Sequence, residues 1–182
     1  MKIKSVRFGD LEVNADEVVY IPDGILGFPQ YTRYCLVDSG DDTLIIWMQS
    51  LDDAAIAFPV LEPKIFKGDY VVKLSAQELN QLKLDNIGQA VVLTILTIPR
   101  DVTQMTANLK APLVINLREQ VGKQVVLQEN EYTLKHPMFK ELKVHLATIE
   151  ATKAIQRAAD DARATLPISL KSMIPSNQVK SL

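Results

Sequence analysis

What most constrains this chain is a succession of short runs rich in β-branched and aromatic residues, each cut off within a few positions by Gly, Pro or Asp. The chain starts by alternating, with Ile3, Ser5 and Arg7 on one face and Lys4, Val6 and Phe8 on the other. Further runs occupy 18–21, 34–37, 44–48, 56–60, 70–74, 90–98, 113–115 and 124–127. Alternation with period two is the mark of an extended strand with one buried face, and strands at this spacing predict an antiparallel sandwich or barrel. Gly9-Asp10 is expected to close a two-residue hairpin onto Leu11-Glu12-Val13. No regular strand–helix alternation is present, which argues against a doubly wound α/β fold.

Two helical signals interrupt this pattern. Ser75-Ala76-Gln77-Glu78 has the form of a capping box, and Leu79, Leu82 and Leu84 behind it are expected to contact the sheet. From about Lys140 to Leu166 there is neither Gly nor Pro, and Ala151, Ala154, Ile155, Ala158 and Ala162 fall at helical spacing. A stripe made mostly of alanine buries little area, so this helix is held weakly unless something packs on it. The expected organisation is mainly β: a small antiparallel β-barrel-like domain over 1–137 with one short helix, then a C-terminal helical extension over 138–166 and a flexible tail over 167–182.

Composition narrows the function classes. A chain of 182 residues, 47% hydrophobic, is long enough to bury one real core without disulfides or a structural metal. A formal charge of −2 and a pI near 5.7 argue against direct nucleic-acid binding. The longest apolar runs fall short of a membrane span, and the start lacks the apolar stretch of a signal peptide. Cys35 is the single cysteine, sits in an apolar run and suits a reducing compartment, so a cytoplasmic protein is expected. The charge is uneven: residues 1–137 carry net −5 and residues 138–182 net +3. The acidic part is either a solvated surface or a face for a basic partner, and the basic extension could mask that face.

No catalytic constellation is apparent. His136 and His145 match no metal-ligand spacing, and no cofactor or metal is expected. Asp41-Asp42 and Asp52-Asp53 read as turn residues, because adjacent side chains do not face a shared site. The cluster Pro22-Asp23-Gly24 and Leu26-Gly27-Phe28-Pro29 is a sharply folded loop. It either caps one end of a barrel or forms an apolar docking edge.

Three segments then carry a resemblance. Asp23-Gly24-Ile25-Leu26-Gly27-Phe28, the string from Thr106-Ala107-Asn108-Leu109-Lys110-Ala111 through Pro112-Leu113-Val114-Ile115-Asn116, and Tyr132 followed by Lys135-His136-Pro137 resemble the FliW flagellar assembly factor family. Ile56-Ala57-Phe58 and Glu62-Pro63 also stand where that family has a strand followed by a loop. The resemblance covers about 1–137 and does not extend to the residues beyond. It implies a β-barrel-like cytoplasmic protein without enzymatic activity, which binds newly made flagellin and also the RNA-binding translational repressor CsrA. Export of flagellin would free the protein to capture CsrA.

Residue chemistry suggests where such partners would dock. Asp38, Asp41, Asp42, Asp52, Asp53, Glu62 and Asp69 are the acidic candidates for a basic RNA-binding protein. Leu26, Phe28, Phe58, Ile65 and Phe66 are apolar candidates for flagellin helices, although Phe58 also fits a core position. Asn108 and Pro112 fit a structural turn, with Lys110 expected to project outward toward a partner. A different reading is a ligand-binding barrel or enzyme with a pocket near His136, served by Asp101 or Glu129.

Overall fold

The structure is a computed structural model that describes residues 1–38, 40 and 44–165, with residues 158–165 described by backbone alone. The first strands stay outside the barrel: β1 (Lys2–Ser5) and β2 (Gly9–Glu12) form a separate hairpin. Ser5 pairs with Gly9, so the connection is Val6-Arg7-Phe8 and the expected Gly9-Asp10 turn is wrong. Ser5 Oγ accepts the amides of Arg7 and Phe8, each at 3.1 Å, and this local bond fixes the turn upstream of the glycine. The Arg7 guanidinium lies 3.5 Å from the centre of the Trp47 ring, and Phe8 meets the same ring edge-on.

The remaining strands are β3 (Val19–Tyr20), β4 (Arg33–Asp38), β5 (Ile46–Ser50), β6 (Ala57–Leu61), β7 (Val91–Thr97), β8 (Thr106–Ala107), β9 (Leu113–Asn116), β10 (Val121–Gln124) and β11 (His136–Pro137). Seven of them close a ring in the order β7-β6-β5-β4-β3-β10-β9 and back to β7. Pairing is antiparallel except where Tyr20 meets Val121 in parallel. β8 and β9 follow one another along β7, Ala107 opposite Leu96 and Leu113 opposite Leu93. Residues 108–112 are therefore a break within one edge, and β11 adds to β8.

The alternation read in the sequence sorts side chains into distinct cores. On β4, Tyr34 and Leu36 turn to the barrel interior with Ile21, Met48, Val60, Leu93 and Ile115. Cys35 and Val37 turn outward and are covered, together with Ile3, Leu11 and Val13, in a cluster that includes the β1–β2 hairpin. Burial there, and then the charge of Glu17, push the Cys35 thiol up to about 11, so it is an inert packing group. A larger cluster joins the outward side chains Leu96 and Val114 to residues of the 61–84 and 105–142 segments, among them Tyr70, Leu82, Leu109, Tyr132, Met138 and Leu142. Each fully buried aliphatic side chain contributes about 1.5–3 kcal/mol.

The run 70–74 is extended but belongs to no sheet, which corrects the strand expected there. Tyr70 and Val72 are buried while Val71 is exposed, so the alternation was real. It reflects one face lying on the outer core: the Tyr70 hydroxyl donates to the Leu109 carbonyl at 2.7 Å, and the Val71 amide donates to the Tyr132 hydroxyl at 3.0 Å. Helix α1 (Ala76–Gln81) is capped as expected, with Ser75 Oγ accepting the Glu78 amide at 3.3 Å and Glu78 accepting the Ser75 amide at 2.7 Å. Leu82 and Leu84 are buried, and the Asn116 side-chain amide donates to the carbonyls of Leu82 and Lys83.

Helix α2 (Phe139–Thr165) runs across two compact units, Met1–Leu142 and Lys143–Leu182. Met138 and Leu142 are buried in the first unit. In the second, Ala151, Ala154 and Ile155 of the expected stripe are exposed, and the side chains of Ala158 and Ala162 and the tail 167–182 lie outside the described residues. Among the described residues, no helix is long and apolar enough to cross a membrane.

Candidate partner-binding surfaces

The loop 22–29 is shaped by one glycine. Gly24 has φ +66°, and a Cβ there would stand 2.6 Å from the Phe28 carbonyl oxygen and from Pro29 Cα. That close approach folds Ile25 inward, 2% exposed and bridged to Phe28, and leaves Leu26 outward at 60%. The Leu26 amide donates to Gln124 Oε1 at 2.8 Å, which anchors the loop on β10. Phe28 meets Phe58 edge-on at 5.3 Å and stacks with Tyr31 at 6.3 Å, and Phe58 leans on Tyr34 at 6.4 Å. The loop thus covers part of the barrel interior, and Leu26 is its projecting apolar group.

The acidic pair lies on the same face. The Tyr31 hydroxyl donates to Asp53 Oδ2 at 2.7 Å, joining the carboxylate to the aromatic group. Asp52 accepts the amides of Thr32 and Arg33 at 2.8 and 2.9 Å, and the Arg33 guanidinium at 2.7 Å. Partial burial opposes its ionisation, but these hydrogen bonds and the guanidinium prevail and hold its carboxyl below the usual value. The Ala55 amide and the Tyr31 hydroxyl do the same for Asp53. Both residues have structural work in their turns, and Arg33 neutralises part of the charge. Phe28, Phe58 and Asp53, chosen separately from the sequence, are therefore brought together, with Asp52 beside Asp53 in its turn and Leu26 exposed on the same loop as Phe28. Tyr31 and Arg33 connect them and were missed, because a polar turn residue and a lone strand arginine carry no motif.

A second neighbourhood holds the other candidates. Glu62 is exposed at the start of the 3-10 turn Pro63–Ile65, Ile65 is half-buried, and Phe66 is only 6% exposed and stacked on His136 at 6.1 Å. Phe66 is a packing residue here, not a surface contact. Glu62, Lys64, Val71, Ile87, Ala90 and Val92 are among the residues lining a cleft of about 290 Å³. Asp69 is exposed and paired with Lys67 at 2.7 Å; that ammonium depresses its carboxyl. Asp38 is exposed and accepts the Gly40 amide, while Asp41 and Asp42 lie outside the described residues.

The 108–112 break is structural in detail. Asn108 Oδ1 accepts the Ala111 amide at 3.0 Å, and the Asn108 amide donates to the Ile95 carbonyl. Lys110, expected to project outward, is half-buried: its ammonium donates to the Glu129 carbonyl at 2.7 Å, within reach because the Leu127 amide pairs with the Lys110 carbonyl and holds that segment alongside. Of the groups expected to serve a pocket near His136, Glu129 lines a cleft of about 210 Å³ with Lys67, Asp69 and Tyr132, a lining to which His136 does not belong. The His136 ring packs on Phe66, and Asp101 is occupied capping a 3-10 turn through Thr103 and Gln104. Among the described residues, no group of three or more His, Cys, Asp or Glu is arranged to hold a metal ion.

Comparison with known proteins decides the family. The sequence model of the FliW protein family matches residues 2–138. The chain belongs to the FliW family. Flagellar assembly factor FliW of Thermoanaerobacter pseudethanolicus is 37% identical over 144 residues, spanning 79% of this chain and 96% of that protein. Its counterpart in Bdellovibrio bacteriovorus is 40% identical over 142 residues, spanning 78% of this chain and 81% of the relative. A crystal structure of the flagellar assembly factor FliW superposes with a TM-score of 0.72 at 32% identity, covering 76% of this chain and 97% of that one. The FliW match ends at residue 138, directly before α2 begins at Phe139.

Proposed function

We propose that this FliW family member is a cytoplasmic partner-switch protein that chaperones flagellin and, when free of it, binds the translational repressor CsrA and releases flagellin mRNA from repression. The observation that carries this reading is the surface where the stacked Phe28 and Tyr31 adjoin the carboxylates of Asp53 and its neighbour Asp52, with Leu26 exposed on the same loop as Phe28. Flagellin helices present apolar stripes that an apolar edge can cover. An RNA-binding repressor presents cations to phosphates, and an acidic partner attracts that surface while repelling RNA.

The test is direct. Purified protein is titrated with flagellin and with CsrA from the same organism, and CsrA loaded with a fluorescent flagellin leader RNA is challenged with this chain. Complexes with both proteins and RNA release are expected, with flagellin suppressing the release. Failure to bind either protein at micromolar concentration overturns the reading.

A further inference from the structure

We infer that the end of the barrel beside the Ala15–Glu17 turn is a socket for one long basic side chain, an arginine or lysine, presented by a protein partner. Asp16, Glu17, Val19, Leu36, Leu117 and Gln120 line a cleft of about 240 Å³. Its apolar lining comes from the buried Val19 and the half-buried Leu36 of the barrel-interior cluster, with Leu117 48% exposed at the rim. Among the described residues, the only charges that line it are the carboxylates of Asp16 and Glu17.

The socket is rigidly built. Asn14 and Glu17 form a reciprocal capping box, with the Asn14 amide donating to Glu17 Oε2 at 2.8 Å. Gln120, held at φ +54°, donates its side-chain amide to the carbonyls of Ala15 and Val18 at 2.6 and 2.9 Å, while its own carbonyl accepts the Tyr20 amide. These bonds clamp the turn to the β9–β10 connection. Asp16, in contrast, makes no hydrogen bond or ion pair among the described residues, so its charge is available to a partner.

Charge complementarity selects the occupant. An arginine or lysine lays an apolar stem along Leu36 and Leu117 and brings its cation to Asp16 and Glu17. A purely aliphatic side chain would desolvate the two carboxylates without compensation, and an acidic one would be repelled. This inference rests on the proposed function, in which the basic partner is the RNA-binding repressor.

Calorimetric titration of CsrA into the wild type, Asp16→Arg and Leu117→Glu, at two salt concentrations, tests it. Both substituted side chains are exposed, and circular dichroism checks the fold. Each variant is expected to bind CsrA at least about tenfold more weakly, with a shallower salt dependence for Asp16→Arg, while flagellin affinity is unchanged. Wild-type affinity in both variants overturns the socket and leaves the proposed function standing. No CsrA binding by the wild type overturns both. A dimer of this chain that Asp16→Arg dissolves overturns the inference in favour of a second copy as the occupant.

Discussion

Gly24 and Asp52 show how single residues set the candidate surface. Gly24→Ala forces a left-handed backbone onto a residue with a Cβ, which costs about 1–2 kcal/mol by itself, and drives that Cβ into the Phe28 and Pro29 backbone. Gly27 has φ +88° with open space around it, so Gly27→Ala carries the backbone term alone. Urea unfolding should show Gly24→Ala losing clearly more stability than Gly27→Ala, and equal losses would refute the close-approach argument. The Asp52 carboxyl has its folded-state value lowered, so its stabilisation is complete above the unfolded value near ~4 and disappears as pH falls through the folded one. Asp52→Asn should therefore be less stable than the wild type at neutral pH, with the difference narrowing below about pH 4. A gap that stays constant with pH would show that the charge of Asp52 contributes nothing.

At the scale of elements, the legible features were those with a local cause. The Ser75 cap, the buried Leu82 and Leu84, and the alternation on β4 follow from neighbours within a few residues. Ser75→Ala is expected to cost about 1 kcal/mol through the cap, measured as a shift of the thermal midpoint. No change would mean that α1 is held wholly by its leucines. The misplaced elements had distant causes. The 70–74 run alternates like a strand, but its hydrogen bonds go to the side chain of Tyr132 and to Leu109, both far along the chain. The first hairpin turns early because Ser5 caps the loop and Trp47 receives Arg7.

For the whole molecule, the important boundary is where the barrel unit stops. The resemblance covers 1–137 and the family match ends at residue 138, while the compact unit runs to Leu142 and Met138 is fully buried. A chain ending at residue 137 loses both side chains from the outer core, at about 2–5 kcal/mol for each. A chain ending at residue 142 keeps them. Chemical denaturation should find the second truncation close to the full chain and the first far less stable; similar curves would place Met138 and Leu142 outside the core.

Composition, period-two alternation, the capping box and the motifs around 23–28 and 106–116 were enough to determine a mainly β barrel of the FliW family, because each depends on chemistry within one short window or on the order of such windows. Tertiary structure alone decided which candidates meet. Phe28, Phe58 and Asp53 converge because Tyr31 bridges an aromatic stack and a carboxylate across the loop and the β5–β6 turn. Phe66 and Lys110 withdraw because a histidine ring and a backbone carbonyl stand where the chain folds back on itself. Side-chain type predicts an affinity for burial or for charge, but only the closed ring determines which partner is within reach.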